Sequence, residues 1–436
     1  MAWSDLAGAR VGVWGVGVEG RASLARLDEL NASVVVVDDR PAAEMAGSRP
    51  VLATALDGLE RLATCEVVVK SPGISRYRPE VGQLASSGVA VTGGLALWLA
   101  GAPLERVLCV TGTKGKSTTT AIAGHLLERL GHRCLTAGNL GVPPWDPALP
   151  GDLTHWVVEV SSYQAADLTV SPPVVGVTSL HPDHLDWHGS VERYYADKLS
   201  LCTRPGAAVT VAAGTPGLRA EARRLGPEVR WVSAHDGARW ASSLGLLGAH
   251  NLTNAGVARR CLDAMGERLP PDATVLAELA AGFVPLPSRL RPIARIGGVD
   301  FVDDSLSTNV LPTVAALDAF AERRVALLVG GFDRGLDYGP LADHLRSRRQ
   351  STLVLTLPDN GPAIAQRLEA ADGPGDYVQL WQSGDMDEAT RLGFEWARPD
   401  GVVLLSPAAP SFGRYRDYRE RAAAFVAAAA DCADGV

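Results

Sequence analysis

The chain has 436 residues, a length that exceeds one hydrophobic core and predicts about three domains. Its formal net charge of −8, with no long run of lysine or arginine, argues against nucleic acid as the main partner. Six scattered cysteines without a CxxC pair predict reduced thiols in a cytoplasmic protein. The sequence shows neither a secretion signal nor an apolar run of about 18 residues, so we expect no membrane insertion.

Apolar, β-branched runs alternate with helical stretches along the chain, a pattern typical of parallel α/β sheets. It predicts a small doubly wound domain over residues 1–102, a larger one over 103–287 and a third over 288–436. The proline-rich segment 285–292 is interpreted as a linker, and the alanine-rich segment 421–430 as a helix. The predicted strands are 10–14, 33–38, 66–71, 89–92, 107–111, 155–160, 174–178, 207–211, 229–232, 300–303, 324–329, 351–356 and 401–406.

The first predicted strand runs into GVGVEG, where Gly15, Gly17 and Gly20 form a GxGxxG pattern, and the second ends at Asp38. A glycine-rich turn followed by such an acidic residue is a dinucleotide fingerprint. On these residues alone, three interpretations stay open: a nicotinamide dinucleotide, another nucleotide diphosphate, or glycines that serve packing. An NAD-dependent oxidoreductase is therefore one candidate function.

The most specific motif is VLCVTGTKGKSTT at 107–119, an apolar strand that enters a glycine-rich turn before a helix expected to reach residue 130. Backbone N–H groups of such a turn cradle phosphates, Lys116 adds a positive charge, and the Ser117 hydroxyl can bind Mg²⁺. Val110 replaces the first glycine of the full Walker pattern, so the match is to a shortened variant. The motif predicts a nucleoside triphosphate site, and the alternative is a simple packing turn.

Glu159 ends the strand predicted in HWVVEVSSYQ, at the edge of the sheet where ligands of open α/β sheets bind. There it can serve Mg²⁺ and phosphates, or it can be an ordinary strand-end carboxylate. Ser161, Ser162 and Gln164 follow and can hydrogen-bond a polar substrate.

Three histidines and two aspartates crowd HPDHLDWH at 181–188 and resemble a metal cluster by residue type. A zinc hydrolase is one interpretation, although neither HExxH nor paired cysteines support it. In the other interpretation, one histidine lies near Glu159 and completes a Mg²⁺ site, and the remaining histidines have structural roles. Lys198, on a predicted amphipathic helix, is either a surface lysine or a contact to phosphate or metal.

Two polar loops, DDSLSTN and VGGFDRG, follow strands of the third domain. Asp304 and Arg334 are their strongest candidates for ligand contact. The alternative for the first loop is helix capping by Asp304 or Ser305.

Taken together, the motifs resemble those of the Mur ligases of peptidoglycan synthesis, most closely the branch that adds glutamate to UDP-N-acetylmuramoyl-L-alanine. The resemblance implies a Rossmann-like UDP-binding N-terminal domain, a central ATPase-like parallel sheet and a Rossmann-like C-terminal domain. It also implies a cytoplasmic, monomeric ATP-dependent ligase that serves cell-wall synthesis, cell shape and cell division. The matching motifs, in chain order, are GVGVEG, SPGIS, TGTKGKSTT, GNLG, VEVSSYQ, HPDHLDWH with YYADK, GAHNLTNA, DDSLSTN, GGFDRG and SPAAPSFGRYRDY.

The resemblance assigns a role to each matched position. The implied UDP-substrate residues are Gly17, Val18, Asp38, Arg40, Gly73, Asn139, Ser161 and Gln164. The implied ATP-binding residues are Gly112, Thr113, Lys114, Gly115, Lys116, Ser117, Thr118, Asn251, Arg289 and Asp304. The implied ligands of two Mg²⁺ ions are Ser117, Glu159, His184 and, once carbamylated, Lys198; the catalytic residues are Lys116, Glu159, His184 and Lys198. The implied glutamate-binding residues are Thr308, Arg334, Ser411 and Tyr418.

The chain departs from the family pattern mainly on the amino-acid side. Lys114 stands in the family's GTNGKS, Leu306 replaces the lysine of DSKATN, and SPAAPSFG replaces SPACAS. These changes resemble the branch that adds L-glutamate, after which a separate epimerase makes the D-isomer. The ordinary D-glutamate ligase stays an alternative, as do an ATP-binding regulator without turnover and a ligase with another acceptor or a folate-type substrate.

Overall fold

The computed structural model describes residues 1–41, 45–139, 141–370, 373 and 375–433. It contains three six-stranded sheets, one for each domain, which confirms the three-domain α/β prediction. Contacts group the chain into two compact units, Met1–Ser243 with Leu252–Phe283 and Leu244–Asn251 with Val284–Val436. In the part of the chain that is described, no helix has the length and apolarity needed to cross a bilayer. All six cysteines are free thiols.

The N-terminal sheet is parallel apart from its outermost pair of strands. Its strands are β1 (Arg10–Trp14), β2 (Ser33–Asp38), β3 (Met45–Ala46), β4 (Arg49–Ala53), β5 (Val67–Lys70) and β6 (Ala90–Gly93), in the order β3-β4-β2-β1-β5-β6. Its helices are α1 (Val18–Glu29), α2 (Leu59–Leu62), α3 (Pro79–Ser86) and α4 (Gly94–Leu99). A Cβ at Gly20 would collide with the Gly15 carbonyl, so α1 can approach the turn after β1 this closely because Gly20 lacks a side chain.

The central sheet is parallel throughout. Its strands are β7 (Val107–Thr111), β8 (Cys134–Gly138), β9 (His155–Glu159), β10 (Val174–Val177), β11 (Val209–Ala213) and β12 (Glu228–Val232), in the order β12-β11-β10-β7-β9-β8. Its helices are α5 (Lys116–Arg129), α6 (Ser162–Asp167), α7 (Leu185–His188), α8 (Val191–Leu199), α9 (Pro216–Ala220), α10 (Ala234–Gly237), α11 (Ala249–Met265) and α12 (Ala273–Ala280). Because β7 pairs with both β9 and β10, the loops that follow these three strands meet at one edge.

The C-terminal sheet carries one antiparallel strand at its edge. Its strands are β13 (Arg291–Ile296), β14 (Val299–Asp303), β15 (Val325–Val329), β16 (Thr352–Thr356), β17 (Val378–Gln382) and β18 (Val402–Leu405), in the order β13-β14-β18-β15-β16-β17. Its helices are α13 (Val310–Asp318), α14 (Gly339–Ser347), α15 (Gly361–Glu369), α16 (Met386–Ala397) and α17 (Tyr418–Asp431). Central strands β15 and β18 are fully buried between two hydrophobic clusters. The linker prediction is wrong at Arg291 and Pro292, which begin β13, where an edge position tolerates proline.

Candidate active site

The glycine-rich turn at 112–115, called the phosphate loop below, joins β7 to α5 as the sequence predicts. Gly112 and Gly115 have φ angles of 138° and 89°, in the region that favours glycine. A side chain at Gly115 would collide with Asn254 of α11, so this glycine also permits close packing. Ser117 and Thr118 are buried in the first turn of α5. The loop therefore presents backbone N–H groups and a helix N-terminus at the carboxyl edge of the central sheet.

Backbone and side-chain groups from other segments hold the phosphate loop in shape. The Thr113 amide donates to the Ser179 carbonyl at 2.9 Å, and the Lys114 amide donates to Ser179 Oγ at 2.8 Å. Thr113 Oγ1 accepts from the His181 amide at 3.0 Å and lies 2.9 Å from the Tyr194 hydroxyl. These partners follow β10 or lie on α8, so the loop is preorganised by tertiary contacts.

Lys198 of α8 is buried directly beneath the phosphate loop. Its Nζ donates to the Gly112 carbonyl at 3.0 Å and lies 5.0 Å from the centre of the Tyr194 ring. Burial and then the nearby charge of Lys116 hold the pKa of the Lys198 amine well below its usual value, although Asp183 opposes them. This environment favours the neutral, nucleophilic amine.

Glu159 ends β9 beside the phosphate loop. Its Oε1 accepts from Asn139 Nδ2 at 3.0 Å, whereas its buried Oε2 has no hydrogen-bond partner among the residues that the structure describes. Leaving a buried carboxylate oxygen unpaired is costly unless a cation or donor fills the position. Oxygen ligands are those that Mg²⁺ prefers, so Glu159 at the end of β9 and the Ser117 hydroxyl in the first turn of α5 have the chemistry of magnesium ligands.

The histidines after β10 have different surroundings. His184 lies before α7 with a φ of 52° and an exposed side chain, and partial desolvation of its ring lowers its pKa. His188 is fully buried and uses both ring nitrogens inside the fold, 2.7 Å from Asp197 Oδ2 and 2.9 Å from Ser162 Oγ. Within the described part of the chain, the histidines of 181–188 do not converge into a three-ligand cluster, so the zinc interpretation gains no support.

Three of the residues assigned to the UDP-substrate line one cleft of the N-terminal domain. Gly17, Asp38 and Arg40 border an open space of about 570 Å³. Asp38 shapes it by accepting from the Val16 amide at 2.8 Å and from the Arg40 amide at 2.9 Å. Val18 is exposed in the first turn of α1.

The remaining UDP-substrate candidates lie outside the lining of that cleft. Gly73 and Asn139 are exposed after β5 and β8, and Leu140 of the GNLG motif lies outside the described residues. Ser161 and Gln164 form a capping box at α6, and Gln164 Nε2 also donates to Glu19 Oε1 at 2.7 Å. These two side chains are therefore engaged in the fold itself.

Asp304 follows β14 and is enclosed within the C-terminal domain. Its carboxylate accepts from the Leu290 amide at 3.0 Å, from Ser307 Oγ at 2.5 Å and from Ser406 Oγ at 2.7 Å. Burial raises the pKa of Asp304 to about 7. Asn309, rather than Asp304 or Ser305, caps α13, so the capping alternative is wrong for both residues.

Of the four glutamate candidates, one lines a small cavity of the C-terminal domain. Ser411 lines a small cavity together with Gly331, Tyr415 and Arg421, and the other three candidates are not part of that lining. The three are exposed Arg334, half-buried Thr308 and half-buried Tyr418. Two candidates for ATP binding belong to the second compact unit, Leu244–Asn251 with Val284–Val436. Asn251 is buried and donates to the Leu247 carbonyl at 2.8 Å, and Arg289 is half-buried.

Four important residues escaped the sequence analysis. Tyr194 and Ser179 support the phosphate loop, and Asn254 packs against it. Arg421 is buried and donates to the Ser305 carbonyl at 2.7 Å. Tyr194 and Asn254 do lie in the quoted motifs YYADK and GAHNLTNA, but nothing local distinguishes them from their neighbours.

Comparison with known protein families gives a consistent result. The Mur ligase middle domain matches residues 110–241, and the Mur ligase glutamate ligase domain matches residues 288–409. A UDP-N-acetylmuramoyl-L-alanine--L-glutamate ligase from Micromonospora sp. is 41% identical, with 99% of both chains covered. A protein of the same name from Xanthomonas euvesicatoria is 38% identical, covering 97% of this chain and 95% of the relative.

The fold is also shared with solved structures. A MurF ligase from Thermotoga maritima in complex with ADP has a TM-score of 0.56 at 15% identity, covering 99% of this chain and 97% of that one. The UDP-N-acetylmuramate-alanine ligase MurC from the same organism has a TM-score of 0.54 at 17% identity, covering 96% and 98%. Sequence and fold agree, and the chain belongs to the Mur ligase family.

Proposed function

We propose that the protein is an ATP-dependent ligase that joins L-glutamate to UDP-N-acetylmuramoyl-L-alanine in peptidoglycan precursor synthesis. The observation that carries this proposal is the cluster at the carboxyl ends of β7 and β9. There the phosphate loop, the unpaired oxygen of Glu159 and the buried amine of Lys198 lie together. The names of the full-length relatives support the same substrates.

The reaction begins with phosphoryl transfer. The terminal carboxylate of the UDP-substrate attacks the γ-phosphorus of ATP, the bond to ADP breaks, and an acyl phosphate forms. The loop amides and Lys116 hold the phosphates and stabilise the charge that develops on the transferred group. Ser117, Glu159 and His184 would hold Mg²⁺, which supplies further charge neutralisation when bound.

The second half of the reaction forms the amide. The glutamate amine attacks the acyl carbon, phosphate leaves from the tetrahedral intermediate, and the nitrogen loses a proton. Thr308, Arg334, Ser411 and Tyr418 would bind glutamate, and Asn251, Arg289 and Asp304 would serve ATP.

Lys198 is proposed to be carbamylated. The neutral amine nitrogen adds to the carbon of CO₂ and releases one proton, which converts the buried amine into a carbamate with one negative charge. This change suits a second Mg²⁺, because it places an anionic oxygen ligand beneath the phosphate loop. Burial under Gly112 supports the proposal because it disfavours the charged ammonium.

The UDP-sugar would occupy the cleft of the N-terminal domain. Gly17, Val18, Asp38 and Arg40 would hold the uridine, and Gly73 and Asn139 would hold the diphosphate, with Ser161 and Gln164 nearby. The domain limits proposed for these roles are 1–102, 103–287 and 288–436. We further propose a cytoplasmic monomer whose product is converted by a separate epimerase.

The preference for L-glutamate is supported by the loop after β14. Leu306 removes a lysine charge of the usual family pattern, and SPAAPSFG changes the loop that carries Ser411. The relatives at 41% and 38% identity are named L-glutamate ligases.

The test is phosphate release with UDP-N-acetylmuramoyl-L-alanine, run separately with L-glutamate and D-glutamate. We expect turnover with L-glutamate, and a clear preference for D-glutamate would contradict the isomer assignment. Absence of phosphate release with both isomers would favour a regulator without turnover. A thermal-shift response to nicotinamide dinucleotide but not to the UDP-sugar would favour the oxidoreductase alternative.

A further inference from the structure

Two histidines and a glutamate converge at the opposite end of β9 from the phosphate loop. His155 is the first residue of β9 and Glu159 is the last, so the two ends lie about 13 Å apart at about 3.3 Å per residue. His132 follows α5, and Glu267 follows α11. The cluster formed by His132, His155 and Glu267 is therefore separate from the proposed ATP site.

Matched helix ends fix the positions of His132 and Glu267. Gly131 and Gly266 end their helices with φ angles of 91° and 88°. The amide of the next residue then donates five residues back, from His132 to Leu127 and from Glu267 to Leu262, at 3.0 Å in both cases. This is the hydrogen bond of a Schellman motif, so two well-defined helix ends present the two side chains.

The three side chains direct their ligand atoms at one point. His132 Nε2 lies 2.9 Å from Glu267 Oε2, and His155 Nε2 lies 3.1 Å from Glu267 Oε1. The ligand atoms of the three residues all lie within 4.8 Å of one another, and the two ring centres are 4.0 Å apart. Ligands of a tetrahedral zinc ion are separated by about 3.3 Å when the bonds are about 2.0–2.1 Å long. The observed spacing is thus close to that of ligands sharing one ion.

A further hydrogen bond orients the His155 ring. Its Nδ1 lies 3.1 Å from Thr154 Oγ1, which also lies 3.3 Å from the Arg133 carbonyl. A hydroxyl has one proton to donate, and when that proton is given to Arg133, His155 Nδ1 must be the donor to Thr154. In the neutral ring, Nε2 is then a lone-pair acceptor that faces the acceptor Oε1 of Glu267. A cation between these two atoms converts an unfavourable contact into two coordinate bonds.

We propose that His132, His155 and Glu267 form a binding site for one divalent transition-metal ion of the zinc class. Imidazole ligands favour such ions over Mg²⁺, and two histidines with one carboxylate leave a position for water. The side chain of His132 is 30% exposed, which gives the ion a route from solvent. Its role is structural, because it joins the ends of α5 and α11 to the first residue of β9.

The test is isothermal titration of Zn²⁺ into the full-length protein after chelator treatment, with Mg²⁺ in excess to occupy the proposed ATP site. We expect one zinc ion per chain, a higher unfolding temperature with Zn²⁺, and a visible absorption spectrum typical of tetrahedral coordination with Co²⁺. Absence of a zinc-binding event in the wild-type protein would overturn the proposal without any variant.

Three substitutions then locate the ion. His132→Gln, His155→Gln and Glu267→Gln should each weaken zinc binding by more than the roughly 10–100-fold that loss of an outer-shell partner costs. His235→Gln, at an exposed histidine of α10, is the matched control and should bind zinc as the wild type does. His132→Gln is the mildest change because His132 is the most exposed of the three. Equal zinc affinity in this variant, or an equal loss of stability with and without Zn²⁺, would identify a hydrogen-bonded clamp and reject the metal site.

Discussion

The phosphate loop and the DDSLSTN loop are both polar segments that follow a buried strand, yet their acidic groups differ. Beside the phosphate loop, Glu159 keeps one buried oxygen without a partner in the described part of the chain. In DDSLSTN, the carboxylates of Asp303 and Asp304 accept hydrogen bonds at all four oxygens. Position after a strand therefore does not by itself define a ligand site. The unpaired oxygen of Glu159 indicates a ligand site more strongly than its position at the end of a strand does.

The largest effect that this comparison predicts is at Glu159. Glu159→Gln keeps the shape and the contact with Asn139 but removes the charge, and we expect phosphate release to fall by about 100–1,000-fold. The free energy of unfolding should stay the same or rise, because an uncompensated buried charge is removed. Steady-state phosphate release and urea unfolding are the measurements. Glu192→Gln, at a carboxylate that is 84% exposed on α8, is the control, and equal rates in the two variants would remove Glu159 from the site.

The second prediction concerns Lys198. Lys198→Met retains the length of the side chain without an amine, and we expect about 100-fold slower turnover with little loss of stability. In the wild-type protein, carbon-13 bicarbonate should produce a carbamate signal by NMR that is absent from the variant. A wild-type spectrum without this signal would contradict carbamylation, whatever the activity of the variant.

The third prediction is a smaller effect, on the pH dependence of stability, and it concerns Asp304. Its folded pKa of about 7 lies above the unfolded value of about 3.9, so the folded state binds this proton more tightly. Protonated Asp304 therefore adds to the free energy of unfolding, and this stabilisation is complete below about pH 4. Between about pH 4 and pH 7 it is lost, by about 1.4 kcal/mol for each pH unit. Asp304→Asn should therefore remove a decline in unfolding free energy over this range. Urea unfolding at several pH values tests this, with the exposed Asp387→Asn as control; identical pH profiles for wild type and Asp304→Asn would contradict the raised pKa.

The strands that the sequence failed to predict are instructive. Four of them lie at sheet edges, where a strand pairs with a neighbouring strand on one side only: β3, β8, β13 and β17. Their sequences lack the continuous apolar run that identified β7 or β15, and β17 is mostly exposed. The missed strand β4 contains Pro50 and pairs with the two-residue β3. Burial on both faces makes strands such as β7 and β15 visible in sequence, whereas edge strands are found unevenly, since β6 and β12 were predicted and these others were not.

The candidate active site could also be predicted only in part from the sequence, but for a different reason. The positions of Lys116 at the start of α5 and of Glu159 at the end of β9 could be predicted because motif and strand position are local properties of the sequence. Tyr194 supports Thr113 from 81 positions along the chain, and Arg421 reaches Ser305 across 116. Such partners are chosen by tertiary packing, and nothing in the neighbouring residues marks them. The same is true of the enclosed state of Asp304.

The smallest predicted effect is on substrate selectivity, and it returns to the DDSLSTN loop. Leu306 is half-buried, and its amide donates to the Ser288 carbonyl at 3.1 Å. Leu306→Lys restores the cation of the usual family pattern in a loop whose carboxylates are already satisfied, so we expect the fold to persist. The ratio of turnover with L-glutamate to that with D-glutamate should fall by about tenfold, or about 1.4 kcal/mol. Leu311→Lys adds the same charge at a 40% exposed position in α13 and should leave the ratio unchanged. Because the new charge would act on the glutamate carboxylates, an unchanged ratio in Leu306→Lys would move the determinant to the segment at 410–413, where proline and glycine reshape the backbone around Ser411.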